Sequence, residues 1–298
     1  MRRFIDTAVR RAAQSYPGRL LQAFLGSQAG NYASGLAFTS FMSMFPLIAG
    51  LLAILGLVTH DPTTRSHFLQ TAIGGFFPSD LNTQRTITQS LDAVRQNTGV
   101  FGVIGILGFV WGGSNLFTTM EYALGRMFGA RQRDFLQQRA MAFVMTLVFA
   151  LSIVVTIGLN SAVAIAGSVP LIEPVLGLLT WLLYMAAVYR IVPNRTYPLR
   201  RMWPGILMAA VLMEALSLLW TPFAGLSHNF NTYGQAFALF FLLGSWLFFL
   251  SMFTLLGAVA IRMHAGEPVV EGLIATAQRE PLHTEATHAA DQYSRRAA

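Results

Sequence analysis

The chain has 298 residues, of which 54% are hydrophobic and only 11% charged, with a formal net charge of +7. A soluble domain carries roughly a quarter charged residues, so composition excludes a wholly water-soluble fold. The absence of cysteine excludes disulfides, thiolate catalysis and cysteine-ligated metals, and every basic residue is an arginine.

Residues 1–30 begin as a basic amphipathic segment. Phe4, Ile5, Ala8, Val9 and Ala12 recur at helical spacing between Arg2, Arg3, Arg10 and Arg11. Such a segment is expected to lie in a membrane surface and to be drawn to anionic lipid. It does not read as a cleavable signal, because the apolar run begins only after residue 32 and is too long for a signal core.

Six apolar stretches follow, at 33–58, 100–124, 140–167, 171–192, 203–226 and 234–262. Each meets the length of about 20 residues that a bilayer-crossing helix needs. Pro46 in the first stretch and Gly105, Gly108, Gly112 and Gly113 in the second are tolerated in membrane helices. Gly167–Ser168–Val169–Pro170 reads as a tight turn joining the third and fourth stretches into a hairpin. The loop 59–99 is expected to hold two short interfacial helices. One is marked by Phe68, Ala72, Ile73 and Phe76; the other is capped by Ser79 and Asp80. From residue 266 the chain turns polar and is expected to be disordered. The organisation is thus a basic segment (1–30), a membrane domain (31–265) and a polar tail (266–298).

Arginine placement sets the expected orientation. Seventeen arginines fall in the N-terminal segment, the loops after the second and fourth stretches and the tail; only Arg65, Arg85 and Arg95 fall on the other side. Positive residues favour the cytoplasmic side. The expected fold is therefore all-α: a six-transmembrane-helix bundle with interfacial helices and both termini cytoplasmic. The basic charge is accounted for by topology, so nucleic acid is not an expected partner.

One acid, Glu214, lies near the middle of the fifth stretch, and a carboxylate at that depth marks a functional site by default. The alternative is a neutral acid acting as packing glue between helices. Ser43, Asn115 and Asn160 in the first three stretches are candidate partners along a transport path, each also able to serve as an interhelical hydrogen bond. Asn231 and Tyr233 precede the sixth stretch and are candidates for its outer mouth, although a helix cap is the simpler reading of Asn231. Arg195, Arg200 and Arg201, beside the turn Pro193–Asn194, are candidates for lipid headgroups, since guanidinium pairs well with phosphate. Arg190 and Glu121 near the inner boundary are a candidate structural pair.

No catalytic constellation stands out. The six histidines lie mostly in loops or the tail; the one Glu-x-x-His, Glu285 with His288, falls in the polar tail; no Gly-x-Ser-x-Gly elbow or phosphate-cradling Gly-x-x-x-x-Gly-Lys loop is present. No catalytic residue, cofactor or metal is expected. The second and sixth stretches share a layout: Gly99 and Gly234 each precede a tryptophan by twelve residues (Trp111, Trp246), and each stretch ends in Arg-Met. This suggests a repeat relating hairpin 1–2 to hairpin 5–6, with Pro46 and Glu214 at similar depths.

Specific segments carry a resemblance. Ala37–Leu47 reads AFTSFMSMFPL, Trp111–Gly129 reads WGGSNLFTTMEYALGRMFG, and Tyr189–Gly205 reads YRIVPNRTYPLRRMWPG; Asn231–Gly234 reads NTYG and Leu255–Ala258 reads LLGA. In this order and spacing, over about residues 20–263, the chain resembles the YihY / virulence factor BrkB family of bacterial inner-membrane proteins, also labelled ribonuclease BN-like. The resemblance implies six helices with both ends inside and a link to envelope or lipid handling, but no settled activity. Two features depart from the family pattern. Val259 stands where members usually carry Glu after Leu-Gly-Ala, and the aromatic and Asn before Tyr-Gly are displaced. The leading expectation is transport or translocation of a lipid-like or amphipathic anionic envelope component, with membrane lipids as partners and homo-oligomerisation left open. The alternatives are a non-transporting membrane scaffold or assembly factor, and a membrane-bound hydrolase or nuclease, which the dispersed acids do not favour.

Overall fold

The computed structural model of the chain describes residues 15–58, 98–166, 172–225 and 232–267. The expected interfacial helices of 59–99, the turn at 167–170, Asn231 and all but the start of the tail lie outside the described residues. Within them the fold is entirely helical. The helices are α1 Tyr16–Gly26, α2 Ala29–Val58, α3 Thr98–Phe128, α4 Phe135–Ala166, α5 Ile172–Ile191, α6 Leu199–Gly225 and α7 Thr232–His264.

Helix α1 separates from the long apolar helix that follows because its ends are chemically marked. The Ser15 hydroxyl accepts from the Gly18 N–H at 3.4 Å, and Pro17 stands in the first turn, where its missing N–H is no loss. Gln28, with φ +54°, turns the chain into α2. Leu20 and Phe24 are buried while Leu21 and Leu25 face outward, and α1 rests on α7 and α2. The amphipathic helix expected around Phe4–Ala12 lies outside the described residues; α1 at 16–26 is a separate helix that the sequence reading did not single out.

Among the described residues, four segments are long and apolar enough to cross a membrane: Phe135–Thr156, Pro174–Ile191, Leu199–Trp220 and Phe240–His264. Helices α2 and α3 coincide with the first two apolar stretches of the sequence and run 30 and 31 residues. Several helices outrun their apolar stretches. Helix α6 starts at Leu199 rather than 203, and α3 continues to Phe128 rather than 124. Backbone hydrogen bonding continues for about a turn into the arginine-rich sequence, and hydropathy does not register that turn.

Each long helix packs on the next, α2 on α3, α3 on α4, α4 on α5, α5 on α6 and α6 on α7, and α7 returns to α2 and α3. The bundle thus closes on itself. Its outer surface is apolar, with Leu107, Leu151, Leu183, Leu218 and Phe241 all exposed, as a lipid-facing surface requires.

Small residues set the closest crossings. A Cβ at Gly112 would lie 2.8 Å from Pro46 Cγ and 3.2 Å from the Ser43 carbonyl; one at Gly205 would lie 2.4 Å from the Gly257 carbonyl. Backbones approach this closely only without side chains between them. The core is deepest where α3, α5 and α7 end together: Leu124, Phe128, Tyr189, Val192, Leu255 and Ile261 are essentially sealed from solvent.

Candidate functional site

Two polar sites stand out, one within the bundle and one at its arginine-rich end. The first is Glu214. It lies half-buried on α6 and faces α5, where Gly177 makes room for it: a Cβ on residue 177 would lie 2.5 Å from Oε2 and 2.7 Å from Oε1. No hydrogen bond or ion pair joins Glu214 to the described residues. Along the same α5–α6 seam the Trp181 indole N–H donates to the Ser217 hydroxyl at 3.3 Å, and that hydroxyl donates to the Met213 carbonyl at 3.0 Å. The seam therefore carries a carboxyl, a hydroxyl and an indole N–H side by side, opposite a glycine.

The other candidates from the sequence fall elsewhere. Ser43 on α2 is 2% exposed and its hydroxyl has no partner among the described residues; it sits behind Gly112 on the α2–α3 seam. Asn115 on α3 is exposed. Asn160 and Tyr233 lie within α4 and α7, and their side chains are outside the described set, as is Asn231. No hydrogen bond brings Ser43 or Asn115 to Glu214. Pro46 packs on Gly108 and Gly112 of its own hairpin partner, and Glu214 meets Gly177 of α5. Trp111 is 68% exposed, while Trp246 packs edge-on against Trp220 at 4.7 Å.

The second site is a knot of charge at the end where α3, α5 and α7 finish. Glu121 on α3 is 1% exposed and pairs with Arg133, not with the suggested Arg190, which instead donates to Thr196. The Arg133 guanidinium donates to Glu121 Oε1 at 3.2 Å, and its backbone N–H donates to the same oxygen at 3.3 Å. The guanidinium also donates to the carbonyls of Ile191 at 2.9 Å, Pro193 at 3.0 Å and Val192. Those are the unsatisfied carbonyls at the end of α5, and a cation there is favoured by the helix dipole. Arg190 is engaged by Thr196, and the cap on α5 comes from the α3–α4 connection.

Arg262 repeats this arrangement one helix over. It donates to the Met127 carbonyl at 3.0 Å, at the end of α3, where Gly129, with φ +60°, closes the helix. Asn194 donates to the Arg131 carbonyl at 3.1 Å, tying the α5–α6 turn to the α3–α4 connection. Within this layer the Tyr189 hydroxyl donates to the Thr254 carbonyl at 2.7 Å, in the space that Gly257 leaves open. At the rim Arg195 donates to Glu267 Oε1 at 2.6 Å and the Tyr197 hydroxyl to Oε2 at 3.0 Å. Burial, and then the bond to Glu267, push the Tyr197 phenol above its ordinary pKa. Arg200 and Arg201 open α6 and are exposed.

The segments meeting here are WGGSNLFTTMEYALGRMFG, YRIVPNRTYPLRRMWPG and LLGA. A model of the family described as "Virulence factor BrkB" matches residues 20–278. The chain belongs to the virulence factor BrkB family. Curated relatives include UPF0761 membrane proteins of Pseudomonas paraeruginosa and Pseudomonas aeruginosa, each 24% identical over 252 residues. A UPF0761 membrane protein of Albidiferax ferrireducens is 24% identical over 250 residues. These alignments cover 80–81% of this chain and 60–61% of the relatives, so the chain spans about three fifths of their length. No solved structure matches. For a BrkB-family chain, the geometry assigns the family-like letters chiefly to the knot that fastens three helix ends. Sequence reasoning counted Arg133 and Arg262 as topology charges only; the signal for their capping role was their position just beyond or at the end of a helix.

Proposed function

We propose that this BrkB-family membrane protein transports or translocates a lipid-like or amphipathic anionic envelope component across the bacterial inner membrane, with both termini cytoplasmic. The observation that carries the reading is Glu214: a carboxyl in the middle of α6, half-buried against Gly177 and without a partner among the described residues. Packing glue would have a partner; an intramembrane acid without one fits a group that meets protons, water or a polar ligand. The tight knot at the arginine-rich end supports a fixed base against which the α5–α6 seam moves. Arg195, Arg200 and Arg201 at that end suit anionic headgroups on the cytoplasmic side, and the orientation follows from the seventeen-to-three arginine distribution. No bond-breaking step enters this reading.

The test is flux of a fluorescent anionic lipid in proteoliposomes, measured from about pH 5 to pH 8. Wild type is expected to accelerate flux with a pH dependence, and Glu214→Gln to lose that dependence. Unchanged pH dependence in Glu214→Gln removes the coupling role.

A second reading, a non-transporting scaffold, draws on the close glycine crossings at Gly112, Gly205 and Gly257. It expects no flux from well-folded wild type.

A further inference from the structure

At the rim of the knot, a carboxylate is held in the way an anionic ligand would be. Glu267 follows directly after α7 and its cap, where Gly266 has φ +79° and the Glu267 N–H donates to the Arg262 carbonyl at 3.2 Å. Its two oxygens are taken separately, one by the Arg195 guanidinium at 2.6 Å and the other by the Tyr197 hydroxyl at 3.0 Å.

The receptor half of this contact is built into the fold. Tyr197 is 5% exposed and its ring packs on Phe128 at 5.5 Å. Arg195 stands over the Tyr197 ring at 5.4 Å, and Asn194 is tied to Arg131. The occupant, Glu267, is itself 30% exposed at its side chain and stands just beyond the capped end of α7. Arg195 itself is 48% exposed at its side chain, so an outside anion can reach it.

Charge also favours an external anion. Arg190 at the end of α5, Arg195 on the turn, and Arg200 and Arg201 at the start of α6 stand in this stretch, where Glu267 is the carboxylate paired with Arg195. Leu199 and Trp203 are exposed beside them, a pairing of apolar and aromatic side chains with arginine that suits headgroup depth. A phosphate offers the same two-oxygen face as a carboxylate and is a good match for a guanidinium fork.

We infer that Arg195 and Tyr197 form a phosphate-type anion site that Glu267 occupies as a built-in competitor, so that ligand binding displaces the Glu267 carboxylate from the two donors. The inference builds on the headgroup reading of these arginines but specifies the pair of donors and the displaced group. A phospholipid headgroup and a free phosphate share the chemistry, so the test separates them.

The experiment titrates the full chain in nonionic detergent with short-chain phosphatidylglycerol, short-chain phosphatidylcholine and inorganic phosphate, for wild type and variants. Removing a half-exposed competing ion pair is expected to tighten phosphatidylglycerol binding about two- to fivefold in Glu267→Gln. Adding Arg195→Gln or Tyr197→Phe to Glu267→Gln is expected to weaken it again, with phosphatidylcholine unaffected throughout. Inorganic phosphate showing the same pattern supports the site and assigns a soluble ligand. Equal phosphatidylglycerol affinity in wild type and Glu267→Gln overturns the inference while leaving general headgroup contact intact. Undiminished binding in the well-folded double variants overturns it as well. The Tyr197→Phe arm guards against misfolding, since it removes one oxygen and keeps the ring packing.

Discussion

A carboxyl that faces a glycine can be displaced without being removed. A Cβ at residue 177 would first meet the far end of the Glu214 side chain, which can swing aside at little cost. Gly177→Ala is therefore expected to leave thermal stability within about 0.5–1 kcal/mol of wild type, yet to alter flux in the same direction as Glu214→Gln. Loss of stability with unchanged flux would mean that the glycine serves packing alone. At the rim, the raised Tyr197 phenol carries its own pH signature. Its folded-state proton is held more tightly than the unfolded one, so the folded state binds more protons above the free phenol's pKa of about 10. Its contribution to stability is fully present below that pH and is lost as pH rises through the higher folded value. Melting curves across pH 8 to about 11.5 should show this loss, reduced in Tyr197→Phe. Glu214 was legible in the sequence because an acid inside an apolar run is conspicuous. Its counterpart Gly177 was not, because one glycine among 26 carries no mark of what it faces.

The helices illustrate what hydropathy can and cannot locate. The approximate middles of the six long helices follow from apolar runs, whereas α1 lies outside them. Their ends follow from caps: Ser15 before α1, Gly129 after α3, Gly266 after α7, and these push several boundaries into charged sequence. The ties between ends were hidden because they join residues far apart. Arg133 reaches α5 across 58 to 60 positions and Arg262 reaches Met127 across 135. Breaking a buried pair from one side leaves an uncompensated charge, so Arg133→Ala is expected to destabilise by about 3–5 kcal/mol. Arg133→Ala with Glu121→Gln should recover part of that in a double-mutant cycle. Equal losses in the single and double variants would show that Arg133 acts only through the α5 carbonyls. The glycine crossing of α6 and α7 makes a sharper demand. An alanine at Gly205 or Gly257 meets a carbonyl or a fixed Tyr189 hydroxyl, and overpacking of this kind costs ~1–3 kcal/mol or more. Calorimetry or thermal unfolding in detergent reads both.

For the whole molecule, an all-helical membrane fold was evident from composition and from six apolar runs, and the family from motif order. Closure of the bundle was not, since which helix α7 returns to depends on side-chain fit across the chain. The same holds for the division between a sealed end, where α3, α5 and α7 are fastened by Arg133 and Arg262, and an α5–α6 seam whose acid has no partner among the described residues. The account stands on water or a polar ligand reaching Glu214 from within the membrane. The chain has no cysteine, so Glu214→Cys supplies a single thiol that reports directly. The reaction rate of that thiol with a charged, membrane-impermeant reagent in reconstituted vesicles is the decisive measurement, with a lipid-soluble reagent as reference. The account expects the charged reagent to modify it and an anionic lipid substrate to slow that modification. Modification by the lipid-soluble reagent alone would contradict it.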